Sequence, residues 1–162
     1  MKSLLLLRHA EALAADGGRG DEERVLSRHG HAQARALGRW LKRQRMVPDQ
    51  VLCSGAKRAR QTAKDVMAAA GWPTALTEVA SLYDASASTM LALVQAQADD
   101  LRGLLVVAHA PGVGELAALL ASRHADLRLA CEPATLIEVV FDCATWSAIG
   151  PRNGVLRLLL PA

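Results

Sequence analysis

Three apolar runs of strand length are each followed by residues that suit the binding of phosphate. These residues are Arg8 and His9 after the run over 3–7, Ser54 and Arg58 after the run over 51–53, and His109 after the run over 104–108. In an open α/β sheet the carboxyl ends of parallel strands share one edge, and ligands bind there. The sequence therefore predicts that two histidines and two arginines line one site.

The residue types at these strand ends suit phosphoryl transfer. Arginine donates a fork of hydrogen bonds to two phosphate oxygens and keeps its charge, so Arg8 and Arg58 are predicted to clamp one phosphoryl group. A neutral imidazole at His9 can attack phosphorus and form a phosphohistidine that water then hydrolyses. His109 faces the same space from another strand and is predicted to stabilise charge on the transferring oxygens. A lone histidine at a strand end is usually structural, but two beside arginines favour catalysis.

The sequence predicts no metal site and no cofactor, because this chemistry needs neither. His29 and His31 form an H-x-H pair near a helix start, but they point to different faces and lack a third ligand. The three cysteines, Cys53, Cys131 and Cys143, are scattered and form no C-x-x-C pair, which predicts neither a disulfide framework nor a zinc site.

Composition excludes several classes of protein. The chain has 162 residues, of which 51% are hydrophobic and only 3% aromatic, which predicts one globular domain over 1–162 and argues against a single-strand nucleic-acid binder. A net charge of +3 is too small for a duplex-binding or membrane-binding protein. The apolar run over 4–7 is too short for a signal peptide or a membrane span, so we expect a cytoplasmic protein.

Strand and helix patterns alternate along the chain. Strands are predicted over 3–7, 51–53, 74–79 and 104–108, and helices over 31–45, 57–70, 89–98 and 113–120, with Ser27, Ser86 and Ser88 as N-terminal caps and Gly71 as a C-terminal cap. Three further strand-like runs, over 136–141, 145–149 and 155–160, are predicted to close the sheet. The pattern predicts a three-layer α/β/α sandwich, with a mostly parallel sheet and an antiparallel C-terminal edge.

Several segments together resemble the histidine phosphatase superfamily, which has a phosphoglycerate mutase-like fold. They are Leu7-Arg8-His9-Ala10-Glu11, Arg24-Val25-Leu26-Ser27-Arg28-His29-Gly30, Ser54-Gly55-Ala56-Lys57-Arg58-Ala59-Arg60-Gln61-Thr62 and Val107-Ala108-His109-Ala110-Pro111-Gly112. The first departs from the family's Arg-His-Gly triplet, since Ala10 replaces the glycine. The resemblance covers essentially the whole chain and is closest to the SixA-type phosphohistidine phosphatases.

This resemblance implies roles for individual residues. His9 would accept the phosphate, while Arg8, Arg58 and His109 would complete the pocket. Arg24 would line the entrance, and Ser54 would join the phosphate-binding residues. Superfamily members that cleave alkyl phosphates carry a glutamate-containing acid segment that this sequence does not reproduce. Two residues remain candidates for that acid, Asp84 after the third strand and Glu11 beside the nucleophile.

Three functions remain open at the level of sequence. The first is dephosphorylation of phosphohistidine in a signalling or phosphotransfer protein, which the missing acid segment favours because an imidazole can leave already protonated. The second is hydrolysis of a small phosphorylated metabolite, which would need an acid such as Asp84. The third is a phosphate-binding regulatory module without catalysis. The glycine-rich loop before Asp21 holds no G-K-[ST] and is interpreted as a flexible flap, with Arg19 as a candidate contact to an acidic partner.

Overall fold

The computed structural model describes residues 1–15, 18, 20–122 and 129–161. Arg19, the candidate contact in the glycine-rich loop, lies outside these residues. The described strands are β1 (Lys2–Arg8), β2 (Gln50–Ser54), β3 (Leu76–Val79), β4 (Gly103–Ala108), β5 (Leu136–Phe141) and β6 (Val155–Leu160). The described helices are α1 (Arg28–Arg43), α2 (Lys57–Ala70), α3 (Ala87–Gln95) and α4 (Gly112–Ala121), with three short 3-10 turns over Asp21–Glu23, Ala80–Leu82 and Trp146–Ala148.

The strands form one six-stranded sheet in the order β3-β2-β4-β1-β5-β6. β1 through β4 run parallel, whereas β5 and β6 pair antiparallel at the other edge. β4 lies between β1 and β2, and Arg8 stands level with Ala108 while Cys53 stands level with Val107. The carboxyl ends of β1, β4 and β2 therefore meet, and the predicted sandwich with its antiparallel C-terminal edge is confirmed.

Helices cover both faces of the sheet, which explains why the central strands β1 and β4 carry continuous apolar runs. Leu4 and Leu6 of β1 pack into the core that contains α3 and α4, while Leu5 and Leu7 pack into the core beneath α1 and α2. All four of these leucines are buried. Because neither face meets water, every position in such a strand favours an apolar residue.

All four helices lie where they were predicted, although α1, α3 and α4 begin and end one to three residues away from the predicted positions. α2 spans 57–70 as predicted, and Gly71 ends it in the left-handed conformation with a φ of 71°. Ser27 caps α1 as predicted by accepting the Gly30 N–H, although α1 begins at Arg28 and ends at Arg43. Of the two caps predicted for α3, Ser86 caps the helix by accepting the Thr89 N–H, and Ser88 lies inside it.

The predicted strand over 145–149 is wrong. This segment contains the 3-10 turn Trp146–Ala148, and Trp146 is completely buried in the core beside α3 and α4. Its backbone N–H donates to the Asp99 carboxylate at 2.9 Å and its indole N–H donates to the Leu101 carbonyl at 3.0 Å. A buried tryptophan usually has a partner for its N–H, and here the Leu101 carbonyl before β4 accepts it. β5 and β6 still pair without it.

Close packing against α1 fixes the segment that follows the first strand. Gly30, in the first turn of α1, lies so close to Glu11 that an added Cβ would collide with the Glu11 carbonyl oxygen. Further along the helix, Gly38 allows the same close approach to the Val66 carbonyl of α2. The first contact holds α1 against the segment that follows His9, and the second holds α1 against α2. In the described part of the chain, no helix is long and apolar enough to cross a membrane.

Candidate active site

Three of the predicted site residues converge at the carboxyl edge of the sheet. His9 follows β1 and His109 follows β4, and the His9 N–H donates to the Ala108 carbonyl at 3.0 Å, which holds the two strand ends together. The imidazole ring centroids are 5.1 Å apart and the planes meet at 62°. Arg58 enters from the first turn of α2, is buried, and donates to both rings.

The hydrogen bonds of His9 leave Nε2 as the nitrogen that faces the site. Nδ1 lies 2.8 Å from the Ala10 carbonyl oxygen, which only accepts, so Nδ1 carries the hydrogen and Nε2 keeps its lone pair. Arg58 Nε donates to Nε2 at 3.3 Å. Burial lowers the pKa of His9 to about 4, and the positive charges of Arg58 and Arg8 act in the same direction. At neutral pH the ring is therefore uncharged and keeps a lone pair on Nε2.

Thr62 fixes the loop that carries His9 to helix α2. The Thr62 hydroxyl donates to the Arg58 carbonyl at 2.8 Å and accepts the Ala10 N–H at 3.0 Å. It is completely buried, so both bonds are shielded from water. The Thr62 side chain thus fixes the position of His9 relative to that of Arg58.

Arg58 is the centre of the site, because its donors reach the residues on every side. Besides His9, it donates from Nη2 to His109 Nδ1 at 3.4 Å. Nη1 donates to the Asp21 carbonyl at 2.7 Å, and Nη2 also donates to the Asp21 carboxylate at 2.9 Å. A planar guanidinium can serve these partners at once, whereas a lysine ammonium has a single charged centre.

The orientation of His109 follows from its two partners. Nδ1 accepts from Arg58, which never gives up its proton, so Nε2 carries the hydrogen and donates to the Ser54 hydroxyl at 2.8 Å. Burial, with the charge of Arg58 second, lowers the pKa of His109 to about 4. Ser54 is completely buried and also accepts the Ala56 N–H at 3.3 Å. The structure thus places Ser54 behind His109, on the side away from Arg58.

Arg8 contributes a donor that has no partner in the described residues. Its Nη1 donates to the Cys131 carbonyl at 2.5 Å, while its buried Nε forms no hydrogen bond there. A buried unpaired donor costs roughly 1–3 kcal/mol. Beyond the effect of burial, the positive charge of Arg8 also lowers the pKa of His9 and of His109.

Arg24, which the family resemblance predicts at the entrance, lies beside Asp21, and Asp21 and Tyr83 are two residues near Arg58 that the sequence did not reveal. Arg24 donates to the Asp21 carboxylate at 3.0 Å and to the Leu13 carbonyl at 2.8 Å. Tyr83 donates its hydroxyl to Asp21 at 2.7 Å, and its ring stands edge-on to His109 at 5.6 Å. Hydrogen bonds from Tyr83, Arg24 and Arg58 hold the pKa of Asp21 well below its usual range. One sequence signal could have indicated Asp21: it lies three residues before Arg24, which belongs to a segment that resembles the family.

The structure does not bring the two predicted acids to the nucleophile. The Glu11 carboxylate accepts the Ser27 hydroxyl at 2.5 Å, which ties it to the start of α1. Asp84 is exposed, has a φ of 45°, and forms no hydrogen bond or ion pair within the described residues. Left-handed conformations of this kind are tolerated by aspartate in turns. Neither carboxylate contacts His9, Arg58 or His109.

No metal cluster is found among the residues that the structure describes. Groups of three or more His, Cys, Asp or Glu side chains that could hold a metal ion are absent there. His31 is hydrogen-bonded to Asp65 of α2, with its Nδ1 2.6 Å from the carboxylate, and His29 is exposed. The positive charge in the site comes from its arginines.

We expect both buried histidines to titrate far below a free imidazole. The pKa values of His9 and His109 are about 4 in the folded chain, against 6.5 in the unfolded one. Between those pH values the unfolded state binds more protons, so the free energy of unfolding should decrease as the pH falls from 6.5 toward 4. NMR titration of the ring protons, with the urea-unfolded chain as the control, checks this. Titration of both rings near 6.5 in the folded protein would contradict it.

Comparison with known proteins agrees with this geometry. Residues 4–84 match the family model of the histidine phosphatase superfamily, branch 1. An uncharacterised protein of Mycobacterium tuberculosis strain H37Rv is 36% identical over 116 residues, which are 72% of this chain and 70% of that protein. The segment with Arg8, His9, Arg24 and Arg58 lies within the matched range, whereas His109 lies beyond it.

Solved structures extend the similarity to nearly the whole chain. A candidate phosphohistidine phosphatase SixA from Agrobacterium tumefaciens superimposes with a TM-score of 0.85 at 25% identity, covering 99% of this chain and 98% of that one. The protein histidine phosphatase SixA complexed with tungstate has a TM-score of 0.84 at 24% identity, covering 98% and 96%. Fold and site thus support a phosphatase in which two histidines contact Arg58. The chain belongs to the histidine phosphatase superfamily.

Proposed function

We propose that this protein removes phosphate from phosphohistidine in signalling or phosphotransfer proteins through a covalent intermediate on His9. The observation that carries the proposal is the uncharged His9 Nε2, fixed by the Nδ1 bond to Ala10 and facing the guanidinium of Arg58. The similarity to SixA-type structures supports the choice of phosphohistidine as the substrate. The alternatives are hydrolysis of a small phosphate ester and phosphate binding without catalysis.

The proposed reaction has two displacements at phosphorus. In the first, the Nε2 lone pair of His9 forms a bond to phosphorus while the bond to the substrate's imidazole nitrogen breaks and its electron pair leaves with that nitrogen. In the second, a water oxygen attacks the phosphorus carried by His9, the bond from phosphorus to Nε2 breaks with its electron pair returning to Nε2, and inorganic phosphate leaves with the water oxygen. Arg8 and Arg58 balance the charge of the phosphoryl oxygens throughout, which is the main demand of phosphoryl transfer.

His109 and Ser54 have supporting roles in this proposal. Because the N–H of His109 is donated to Ser54, the ring stays fixed with Nδ1 toward Arg58. A phosphoryl group that displaces Arg58 from Nδ1 would favour protonation of that nitrogen, which then donates to a phosphoryl oxygen. Ser54 therefore acts as a positioning residue for His109, and Arg24 lines the entrance.

The accessibility of the entrance suits a phosphate carried by a protein. Arg24 and Asp21, at the outer side of Arg58, keep 29% and 47% of their side chains exposed. A phosphohistidine on a protein surface can reach Arg58 past these side chains. We propose that residues 1–162 act as one domain, since the structural similarity covers 99% of the chain. We also propose a cytoplasmic location, to which three free cysteines are suited.

Phosphate release from two substrates in parallel tests this proposal. The substrates are a phosphotransfer domain phosphorylated on histidine and a simple alkyl phosphate, with no metal added. The phosphorylated domain without enzyme gives the rate of spontaneous loss. We expect a higher kcat/KM for the phosphohistidine domain. Faster turnover of the ester would favour the small-molecule phosphatase, and no turnover of either would favour the binding module.

We expect Asp84→Asn to leave hydrolysis of phosphohistidine within about twofold of wild type, as for exposed substitutions without partners. The reason is that the leaving imidazole departs with a proton it already holds, and that the Asp84 carboxylate contacts no site residue. Steady-state kinetics on the phosphorylated domain and on the alkyl ester check this. Loss of both activities would show that Asp84 supplies the proton and would contradict its place outside the site.

A further inference from the structure

Asp21 is the carboxylate that lies nearest to the chemistry, and the proposed function does not use it. It is joined to Arg58 twice, through its carbonyl at 2.7 Å and through Oδ2 at 2.9 Å. The other face of the same guanidinium meets the nucleophilic Nε2 of His9 at 3.3 Å. A single planar group therefore separates Asp21 from the attacking atom.

Burial shows which side of Arg58 faces solvent, from which a phosphorylated protein would approach. His9 and the Arg58 side chain are about nine-tenths buried or more, at 9% and 5% exposed, whereas the Asp21 side chain is 47% exposed. The direction from His9 through Arg58 to Asp21 thus runs from the interior to solvent. In an in-line displacement the leaving group lies opposite the nucleophile. The leaving group must therefore lie at the outer side of the site, where Asp21 stands.

The carboxylate of Asp21 keeps room for one more donor. Oδ2 accepts from Arg58 and Tyr83, and Oδ1 accepts from Arg24. A carboxylate has about four acceptor positions, so within the described residues one position on Oδ1 is unused. The three donors also fix the carboxylate in place and keep it ionised.

We propose that Asp21 recognises the leaving group, by accepting a hydrogen bond from the protonated, unphosphorylated nitrogen of the substrate's imidazole. The inference rests on the proposed function and deepens it. A phosphorylated imidazole can carry a proton on its second nitrogen, which makes the ring a cation. The fixed negative charge of Asp21 stabilises that cation, and a charge-assisted hydrogen bond of this type is among the stronger ones.

Protonation of the substrate ring balances the first displacement without an enzyme acid. The lone pair of His9 Nε2 forms the new P–N bond, the P–N bond to the substrate ring breaks, and its electron pair returns to the ring. The ring departs as neutral imidazole and retains the hydrogen that faces Asp21. An alkyl or aryl ester has no such N–H, so it gains nothing from Asp21. The carboxylate thereby favours phosphoramidates over esters.

Two small substrates and matched variants test this inference. Wild type, Asp21→Asn and Glu22→Gln are compared on phosphoimidazole and on phenyl phosphate. Of these two substrates, only phosphoimidazole has a ring nitrogen that can carry the N–H. Glu22 is exposed in the same 3-10 turn and has no partner within the described residues, so its variant removes the same charge without touching Arg58. We expect Asp21→Asn to lower kcat/KM for phosphoimidazole by about 10- to 100-fold, the loss of one charge-assisted hydrogen bond.

The expected result is selective. Asp21→Asn should lower turnover of phenyl phosphate by much less than that of phosphoimidazole, and Glu22→Gln should change neither. Equal loss on both substrates would show that Asp21 acts only by holding Arg58, and no loss on either would show that it does not act; each result would overturn the inference alone. Wild-type turnover of phenyl phosphate without turnover of phosphoimidazole would overturn the proposed function, and the inference with it.

Discussion

Replacement of His9 with alanine is expected to lower kcat/KM by about 10⁴-fold or more, the scale seen when a catalytic nucleophile is removed. In the proposed reaction His9 supplies the atom that bonds to phosphorus, whereas His109 is positioned by Ser54 and donates to a phosphoryl oxygen, so it does not replace His9. The loss should appear on phosphoramidates and esters alike, since both would need the same attacking atom.

The control for this variant is His29→Ala, which removes an imidazole from an exposed position in the first turn of α1. Steady-state kinetics on the phosphohistidine domain give the ratio, and circular dichroism shows whether the variant folds. His29→Ala should keep wild-type activity. A folded His9→Ala protein with more than a tenth of wild-type activity would contradict the assignment of the nucleophile.

Replacement of Arg58 with lysine is expected to lower kcat/KM by about 1,000-fold, although the charge is kept. The guanidinium contacts His9, His109 and Asp21 from three different nitrogens. A lysine ammonium has one nitrogen and cannot hold all three groups in place. The loss therefore measures geometry rather than charge.

Arg60→Lys is the matched control for Arg58→Lys. Arg60 lies two residues further along α2 and pairs with Glu78 at 3.4 Å near the surface, away from the histidines. The same substitution there should change kcat/KM by less than about twofold. If Arg58→Lys retained activity within tenfold of wild type, charge alone would suffice and the arrangement around Arg58 would not be the basis of catalysis.

The order of the elements was predictable because each buried strand is a continuous apolar run. Leu4 through Leu7 are all buried, and both faces of the sheet are covered, so the pattern needs no tertiary information. The run over 145–149 mixes polar and apolar residues, and it forms a 3-10 turn instead of a strand. The conformation of this run depends on hydrogen bonds from Trp146 to Asp99 and Leu101, which lie far away in the sequence. Local pattern contains no information about such partners.

The residues of the candidate site also fall into two groups, those that the sequence pattern predicts and those that depend on tertiary contacts. Arg8, His9 and His109 follow apolar strands directly, so the rule that strand ends meet at one edge brings them together. Asp21 and Tyr83 belong to a loop and a turn, and their meeting at Arg58 depends on how those segments fold back. Glu11 illustrates the converse, since its position beside His9 in the sequence does not aim its carboxylate at the site; Ser27 holds it instead.

The covalent intermediate on His9 is the central claim, and trapping it is the most direct test. Wild-type protein is mixed with the phosphohistidine domain, quenched within milliseconds in alkaline denaturant, which preserves phosphohistidine, and digested for mass spectrometry. We expect one added phosphoryl group on the peptide that contains His9, and none in the His9→Ala protein. A phosphoryl group on any other residue of the chain, or rapid turnover with no phosphorylated His9 at any quench time, would contradict the account.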